Sequence, residues 1–249
     1  MTEVQLSERK TSSSKGRSLN FLLRTLSSDD YETLRPDIQI IHYPSGKALY
    51  EPEDEIEHVY FPEEGLISLI SIMQSGHEVE SAVVGREGAV GFVEAVGAGV
   101  MFSRAVVQID LKGTRVPVRA YAAAFDSSPA FRRAIAAHIE LTIAEGRQTI
   151  ACISYHQLIQ RFAWWILECQ DRTGRDELAL TQEFLAAMLG VQRTSVSGFA
   201  GKLKAKGLID YKRGVISIKD RAGLKRTSCE CYNTNAHFRS LIEKRLKPR

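Results

Sequence analysis

The sequence predicts an α+β chain in which a strand-rich N-terminal half is joined by one long helix to a compact, basic C-terminal unit. Three observations carry this expectation. Short β-prone runs recur between residues 37 and 120, separated by Pro/Gly-containing turns. An apolar stripe with helical spacing follows, from Phe131 to Ile153. The charge also changes sign along the chain. Fifteen acidic residues stand against three basic ones between Asp29 and Gly97, whereas ten Lys/Arg stand against Asp210 and Asp220 between Val191 and Arg226.

The 249 residues suit two ordinary domains. No apolar stretch approaches the roughly 20 residues needed to span a bilayer. Residues 1–20 are polar and Ser-rich, with no apolar core of a secretory signal. They are expected to form a flexible arm on a cytoplasmic protein without a membrane partner.

Residues 21–126 are assigned to a jelly-roll-like β-roll. Gln39–Tyr43, His58–Phe61 and Leu66–Ile72 are its early strands, with breaks at Pro44-Ser45-Gly46, Pro62-Glu63-Glu64-Gly65, Ser75-Gly76 and Gly85-Arg86-Glu87-Gly88. Arg104–Ile109 and Arg115–Val118 are its last. Residues 127–153 form a dimerisation helix. Pro129 suits its first turn and Ser127 or Ser128 its cap. Phe131, Ile135, Ile139, Ile143, Ile150 and Ile153 fall near one face, while Gly146 leaves room for another backbone. Such a stripe can pack on its own β-domain, but a symmetric seam between two copies is the sharper expectation.

Residues 154–226 are assigned to a DNA-binding unit. A helix over Tyr155–Gln170 buries Leu158, Phe162, Trp165, Ile166 and Cys169, and a polar break spans residues 171–176. Thr181 then caps a helix whose buried face is Leu185 and Leu189. Ala186 is small where a second helix crosses, and Gly190 supplies the left-handed residue of a tight inter-helix turn. In the next helix Val191, Val196 and Phe199 are expected to be buried. That leaves Gln192, Arg193, Thr194, Ser195 and Ser197 facing outward near its N-terminus, where a recognition helix meets base edges. Arg193 can offer paired donors to guanine, Gln192 suits adenine, and the hydroxyls reach bases or phosphates. Gly207 ends the helix after Lys202, and Asp210–Ile218 forms a hairpin with Lys212 and Arg213 at its turn. Helix, turn, helix and basic hairpin make a winged helix-turn-helix. Thr181, Lys202, Lys212 and Arg213 join the exposed residues above as the expected DNA contacts. Residues 227–249 are a tail with a short helix over Ala236–Leu246.

The four cysteines are Cys152, Cys169, Cys229 and Cys231. Cys229-x-Cys231 could share a metal, but a site needs about four ligands of matched spacing and no second pair is evident, so no metal is expected. Phosphate-loop, metal-cluster and nucleophile motifs are lacking, and no catalytic residue or cofactor is expected. The alternative to a DNA-binding regulator is a ligand-binding module whose helical C-terminus docks a partner protein.

With these motifs in place, the chain resembles the Crp/Fnr family of transcription regulators from about Phe21 to Ile218. The specific carriers are LTQEFLAAMLGVQRTSVSGFAGKLKAKGLI and YKRGVISI, with FPEEGLISLI and GREGAVGF similar to turns of the family's β-roll. The resemblance implies a homodimer, a recognition helix in each major groove, a pseudo-palindromic duplex operator and RNA polymerase as a candidate partner. The family's guanine-reading arginine falls on Arg193. Thr194 stands where Glu is frequent, and Gly198 where a second arginine is expected. The family's cyclic-nucleotide pocket is matched only loosely: Phe92 rather than an acid follows Gly91, Glu94 lies nearby, and Ser103-Arg104-Ala105 departs from the usual order. Gly91, Glu94, Ser103 and Arg104 are the expected contacts for a small-molecule effector of unknown identity. No cysteine precedes Cys152 to hold an iron–sulfur cluster, and His42, His58 and His77 suit ordinary strand or turn positions better than haem ligation.

Overall fold

The structure, a computed structural model, describes residues 18–246. The expected arm therefore lies largely outside the described residues. Its last residue, Asn20, is buried, and its Nδ2 donates to the carbonyls of Pro62 at 2.8 Å and Gly88 at 2.7 Å. Asn20 also caps α1 (Phe21–Thr25), which is followed by α2 (Ser28–Leu34).

Five strands build one antiparallel sheet: β1 (Gln39–Tyr43), β2 (Ala48–Tyr50), β3 (His58–Ile72), β4 (Glu78–Val84) and β5 (Arg104–Pro117). Their order is β1-β5-β3-β4, with β2 also paired to β5. The two expected strands around Pro62–Gly65 are in fact one, and so are the last two. β3 and β5 pair from His58↔Pro117 to Ile70↔Arg104, Pro62 and Glu64 keep partners on β5, and register irregularities around them absorb Glu63 and Gly65. A bulge tolerates a proline and re-aims the strand without ending it. Gly65 is essential to this bulge. Its φ is +89°, and a Cβ there would lie 2.2 Å from the Asp110 carbonyl oxygen.

Two helices follow, α3 (Val118–Ser127) and α4 (Pro129–Tyr155). Ser128 Oγ caps α4 by accepting from Phe131 N at 3.1 Å, with Pro129 at the first helical position, as expected from the sequence. The expected stripe is divided. Phe131 and Ile135 are fully buried with Leu22, Leu23, Phe61 and Tyr121 against the roll, and Ile139 is half-buried beside them. Ile143, Ile150 and Ile153 remain 49%, 68% and 54% exposed.

The chain turns at His156-Gln157 into α5 (Leu158–Thr173), three residues later than expected at each end. Then come β6 (Glu177–Ala179), α6 (Gln182–Leu189), α7 (Arg193–Ala205), β7 (Ile209–Lys212), β8 (Val215–Ile218), α8 (Arg221–Thr227) and α9 (Cys231–Leu246). The tail helix is thus five residues longer than expected at its N-terminal end. β6, not foreseen in the sequence, completes a three-stranded sheet in the order β6-β8-β7. The core of this half gathers Phe162, Ile166, Leu185, Val196, Leu203 and Ile216, together with Leu66 and Ile109 from the roll. Two side chains of the roll therefore join the core of the C-terminal half, while the rest of the roll packs in clusters of its own. Each such side chain contributes about 1.5–3 kcal/mol on burial.

Polar groups reinforce the same boundary. Arg172 near the end of α5 lies 2.9 Å from Glu87 of the roll, 3.3 Å from Glu168 and 4.0 Å from Glu145 of α4. Arg239 of α9 closes the set with Glu145 at 2.7 Å and Glu168 at 2.8 Å.

Candidate nucleic-acid interface

α6, α7 and the β7–β8 hairpin assemble one polar face from residues spread over more than thirty positions. Thr181 Oγ1 accepts from Phe184 N at 3.2 Å and so starts α6. Gly190 ends it in the left-handed conformation (φ +66°), its N–H bonding back to Ala187 at 3.3 Å. The turn is therefore tight enough to launch α7 three residues later. α7 buries Val196, Ala200 and Leu203; Val191 and Phe199, expected to be buried, are half-buried at the margin of that core. The buried positions follow the helical repeat of four and three, so the opposite face belongs to solvent.

On that face Gln192, Arg193, Thr194 and Ser197 are exposed and Ser195 is half-buried, all within the first turn and a half of α7. Gln182, at the start of α6, ties the two helices together. Its Nε2 donates to Ser197 Oγ at 3.0 Å, and its Oε1 accepts from Arg193 Nε at 3.4 Å. Arg193 also pairs with Glu183 at 2.5 Å. Its guanidinium is thus held at the helix N-terminus by two exposed, exchangeable contacts. Gln182 and Glu183 were missed in the sequence. The only local sign was their place directly after the cap, where they face the following helix.

The wing lies alongside. Arg213 (φ +51°) and Gly214 (φ +77°) form a two-residue turn with both residues left-handed, the arrangement that matches strand twist. For arginine that conformation costs about 1–2 kcal/mol. Thr181, Arg193, Tyr211 and Arg213 line one shallow cleft between wing and helices. Lys212 lies 3.0 Å from Asp210, which also holds Lys204 at 2.7 Å. Hydrogen bonds from those two lysines keep the Asp210 carboxyl well below the usual carboxylate range. Lys202 lies farther along α7, its ammonium 5.6 Å from the centre of the Phe199 ring. Thr181, Arg193 and Arg213 thus share the cleft, whereas Lys202, nine residues on from Arg193, lies on the opposite side of α7. Lys202 sits about 13 Å along the helix axis from Arg193.

The expected effector contacts do not converge. Gly91 and Glu94 line a cavity of about 400 Å³ enclosed by β4, α4 and α5, along with Met101, Leu141, Trp164 and Trp165. Burial raises the Glu94 carboxyl above its ordinary value. Ser103 and Arg104 lie elsewhere. Arg104 Nε donates to Glu51 at 2.8 Å and its Nη1 contacts Glu78, so two carboxylates already neutralise the guanidinium. A cyclic phosphate would have to displace both. The cavity wall is largely apolar, and its polar groups are mostly acidic or part of the Arg172 network.

Comparison with known proteins matches residues 160–227 to the Crp-like helix-turn-helix domain. No relative is found among the curated proteins. Among solved structures, a CRP/FNR-family transcriptional regulator from Thermus thermophilus is similar with a TM-score of 0.63 and 23% identity, over 76% of this chain and 98% of that one. FixK2 from Bradyrhizobium japonicum is similar with a TM-score of 0.66 and 17% identity, over 77% and 98%. The c-di-GMP-responsive global regulator CLP of Xanthomonas campestris has a TM-score of 0.63 and 14% identity, over 77% and 99%. At these identities the structural likeness establishes the shared fold, and the domain match places the DNA-binding unit within it. Residues 160–227 thus match a Crp-like helix-turn-helix domain, carried on a fold shared with solved regulators of the Crp/Fnr family.

Proposed function

We propose that the protein acts as a homodimer that reads a pseudo-palindromic operator through the first turns of α7. The observation that carries this reading is the exposed set Gln192, Arg193, Thr194 and Ser197, with Arg193 in one cleft with Arg213 of the wing. Arg193 reads guanine, Gln192 contacts an adjacent base, and Thr181, Lys202, Lys212 and Arg213 hold the phosphates.

The exposed stripe on α4 supports the dimer. Ile139, Ile143, Gly146, Ile150 and Ile153 follow alternating spacings of four and three, the pattern of a helix–helix seam. Among the described residues nothing outside its own helix lies within 4 Å of a Cβ placed on Gly146, so their packing does not call for glycine there. A second helix crossing at that point does. Two recognition helices related by this seam would address half-sites about one helical turn apart.

The apolar cavity bordered by Gly91 and Glu94 suits a compact, largely apolar effector better than a cyclic nucleotide, because Arg104 is engaged outside it. Selection of bound duplexes from a random pool tests the function. Enrichment of an inverted repeat supports it. Binding of all duplexes alike at physiological salt, with and without cell extract, would sink it.

A further inference from the structure

Four side chains from two distant stretches meet at the joint between the halves of the molecule. Cys152 and His156 lie one helical turn apart at the end of α4, and Cys229 and Cys231 flank Glu230 at the entry to α9. Their ligand atoms all lie within 4.8 Å of one another. Cys152 Sγ is 3.6 Å from Cys229 Sγ, and Cys231 Sγ is 3.6 Å from His156 Nδ1. Zinc holds thiolates at about 2.3 Å and imidazole nitrogen at about 2.1 Å, so tetrahedral neighbours stand about 3.6–3.8 Å apart. Both separations therefore match edges of such a tetrahedron.

The surroundings fit the same chemistry. His156 Nε2 lies 2.9 Å from Glu230 Oε2. A carboxylate on one ring nitrogen fixes the tautomer and leaves the lone pair on the other, here the one facing Cys231. Gln148 Nε2 donates to Cys231 Sγ at 3.1 Å, a contact suited to a thiolate. All three cysteines are buried, with Trp164 packed against them. A Cys152–Cys229 disulfide would account for only two members of the cluster. It would give no role to the orientation of His156 by Glu230.

We propose that Cys152, His156, Cys229 and Cys231 bind one zinc-class divalent cation in a closed tetrahedral site. Three sulfurs and one imidazole form a borderline-soft donor set that favours zinc over magnesium or calcium. Binding replaces three S–H bonds with three metal–sulfur bonds, and the three protons pass to solvent. All four positions are filled by protein, so the ion is structural and has no open coordination site. It fastens the start of α9 to the end of α4, at the bend where α5 departs. This site is independent of the operator reading, since it lies apart from α7 and the wing.

The test uses the full chain, grown with zinc and purified with reductant but without chelator. Elemental analysis is expected to find about one zinc per chain, and cobalt(II) exchange to give tetrahedral d–d bands with thiolate-to-cobalt charge transfer. Cys229→Ser/Cys231→Ser is expected to lose the bound metal, and Cys169→Ala, a buried thiol outside the cluster, to retain it. Glu230→Gln is expected to keep the stoichiometry but weaken zinc affinity by about tenfold. In the unmutated protein, zinc should shield Cys152, Cys229 and Cys231 from alkylation, and a chelator should expose them. The proposal is overturned if the fully reduced wild-type chain takes up no stoichiometric zinc or cobalt, or if the double cysteine variant keeps its full metal content. The alkylation experiment needs no variant, so a misfolded mutant cannot decide the matter.

Discussion

Arg172 Nε lies 2.9 Å from Glu87 Oε1, so the end of α5 is bound electrostatically to a turn of the β-roll. The same guanidinium faces Glu168 and Glu145, and Arg239 shares the work of neutralising them. Removing one partner of a buried ion network leaves uncompensated charge, which costs more than the network contributes as a whole. Arg172→Met is therefore expected to destabilise the protein by about 3–5 kcal/mol. Urea denaturation followed by tryptophan fluorescence measures this, since Trp164 and Trp165 sit beside the network. A loss below 1 kcal/mol would mean the carboxylates are solvated after all.

Glu80 provides a pH dependence. Its carboxyl accepts from Ser68 Oγ at 2.6 Å and Trp165 Nε1 at 3.2 Å, and burial pushes its pKa from 4.5 up to about 8. The folded state therefore keeps a proton that the unfolded chain gives up. This contribution is fully present below pH 4.5 and is lost as pH rises through about 8. Glu80→Gln should abolish that loss, so the variant gains on the wild type between pH 5 and pH 9, by up to about 5 kcal/mol at the alkaline end. Melting temperatures across that range are the measurement, and a constant difference at every pH would contradict the assignment.

Arg193→Ala is expected to weaken the selected operator by about 1–3 kcal/mol and to relax preference at one base pair per half-site. Quantitative binding to the operator and its single-base variants would show this. An equal loss on every duplex would reassign Arg193 to the phosphates.

Arg213 accepts a left-handed backbone that asparagine or glycine would occupy at less cost. Arg213→Asn should raise the melting temperature slightly while weakening operator and random DNA alike. It should also reduce the slope of log affinity against log salt by about 1. An unchanged slope would remove Arg213 from the phosphate contacts.

Ile150→Asp, on the 68% exposed side chain of α4, is expected to yield monomers by light scattering and to depress operator affinity with little loss of fold. A dimer that survives this change is held by another surface.

The legible parts of the sequence were those in which cause and effect lie within a few residues. Thr181, Gly190 and the apolar repeat between them specify α6 and its turn by local chemistry alone, so the exposed side chains of the helix-turn-helix could be named. Around Pro62–Gly65, the same local reasoning gave a chain break where the structure has a bulge. The deciding partner there is Asp110 on β5, far away in sequence. Arg104 escaped for a similar reason, because Glu51 and Glu78 reach it only after the sheet has formed. The Cys152–His156 pair gave no signal, since its spacing becomes meaningful only when α9 brings Cys229 and Cys231 back to it.

That return of α9 bears on how the molecule can be made. Leu246, the last described residue, packs against the cluster that also holds Leu22, Leu23 and Phe131. A ribosome delivers Leu22 and Leu23 long before Leu246. The N-terminal roll must therefore wait, partly uncovered, until the DNA-binding unit has emerged and folded. Nascent chains halted before α9 should consequently be the species most dependent on chaperones.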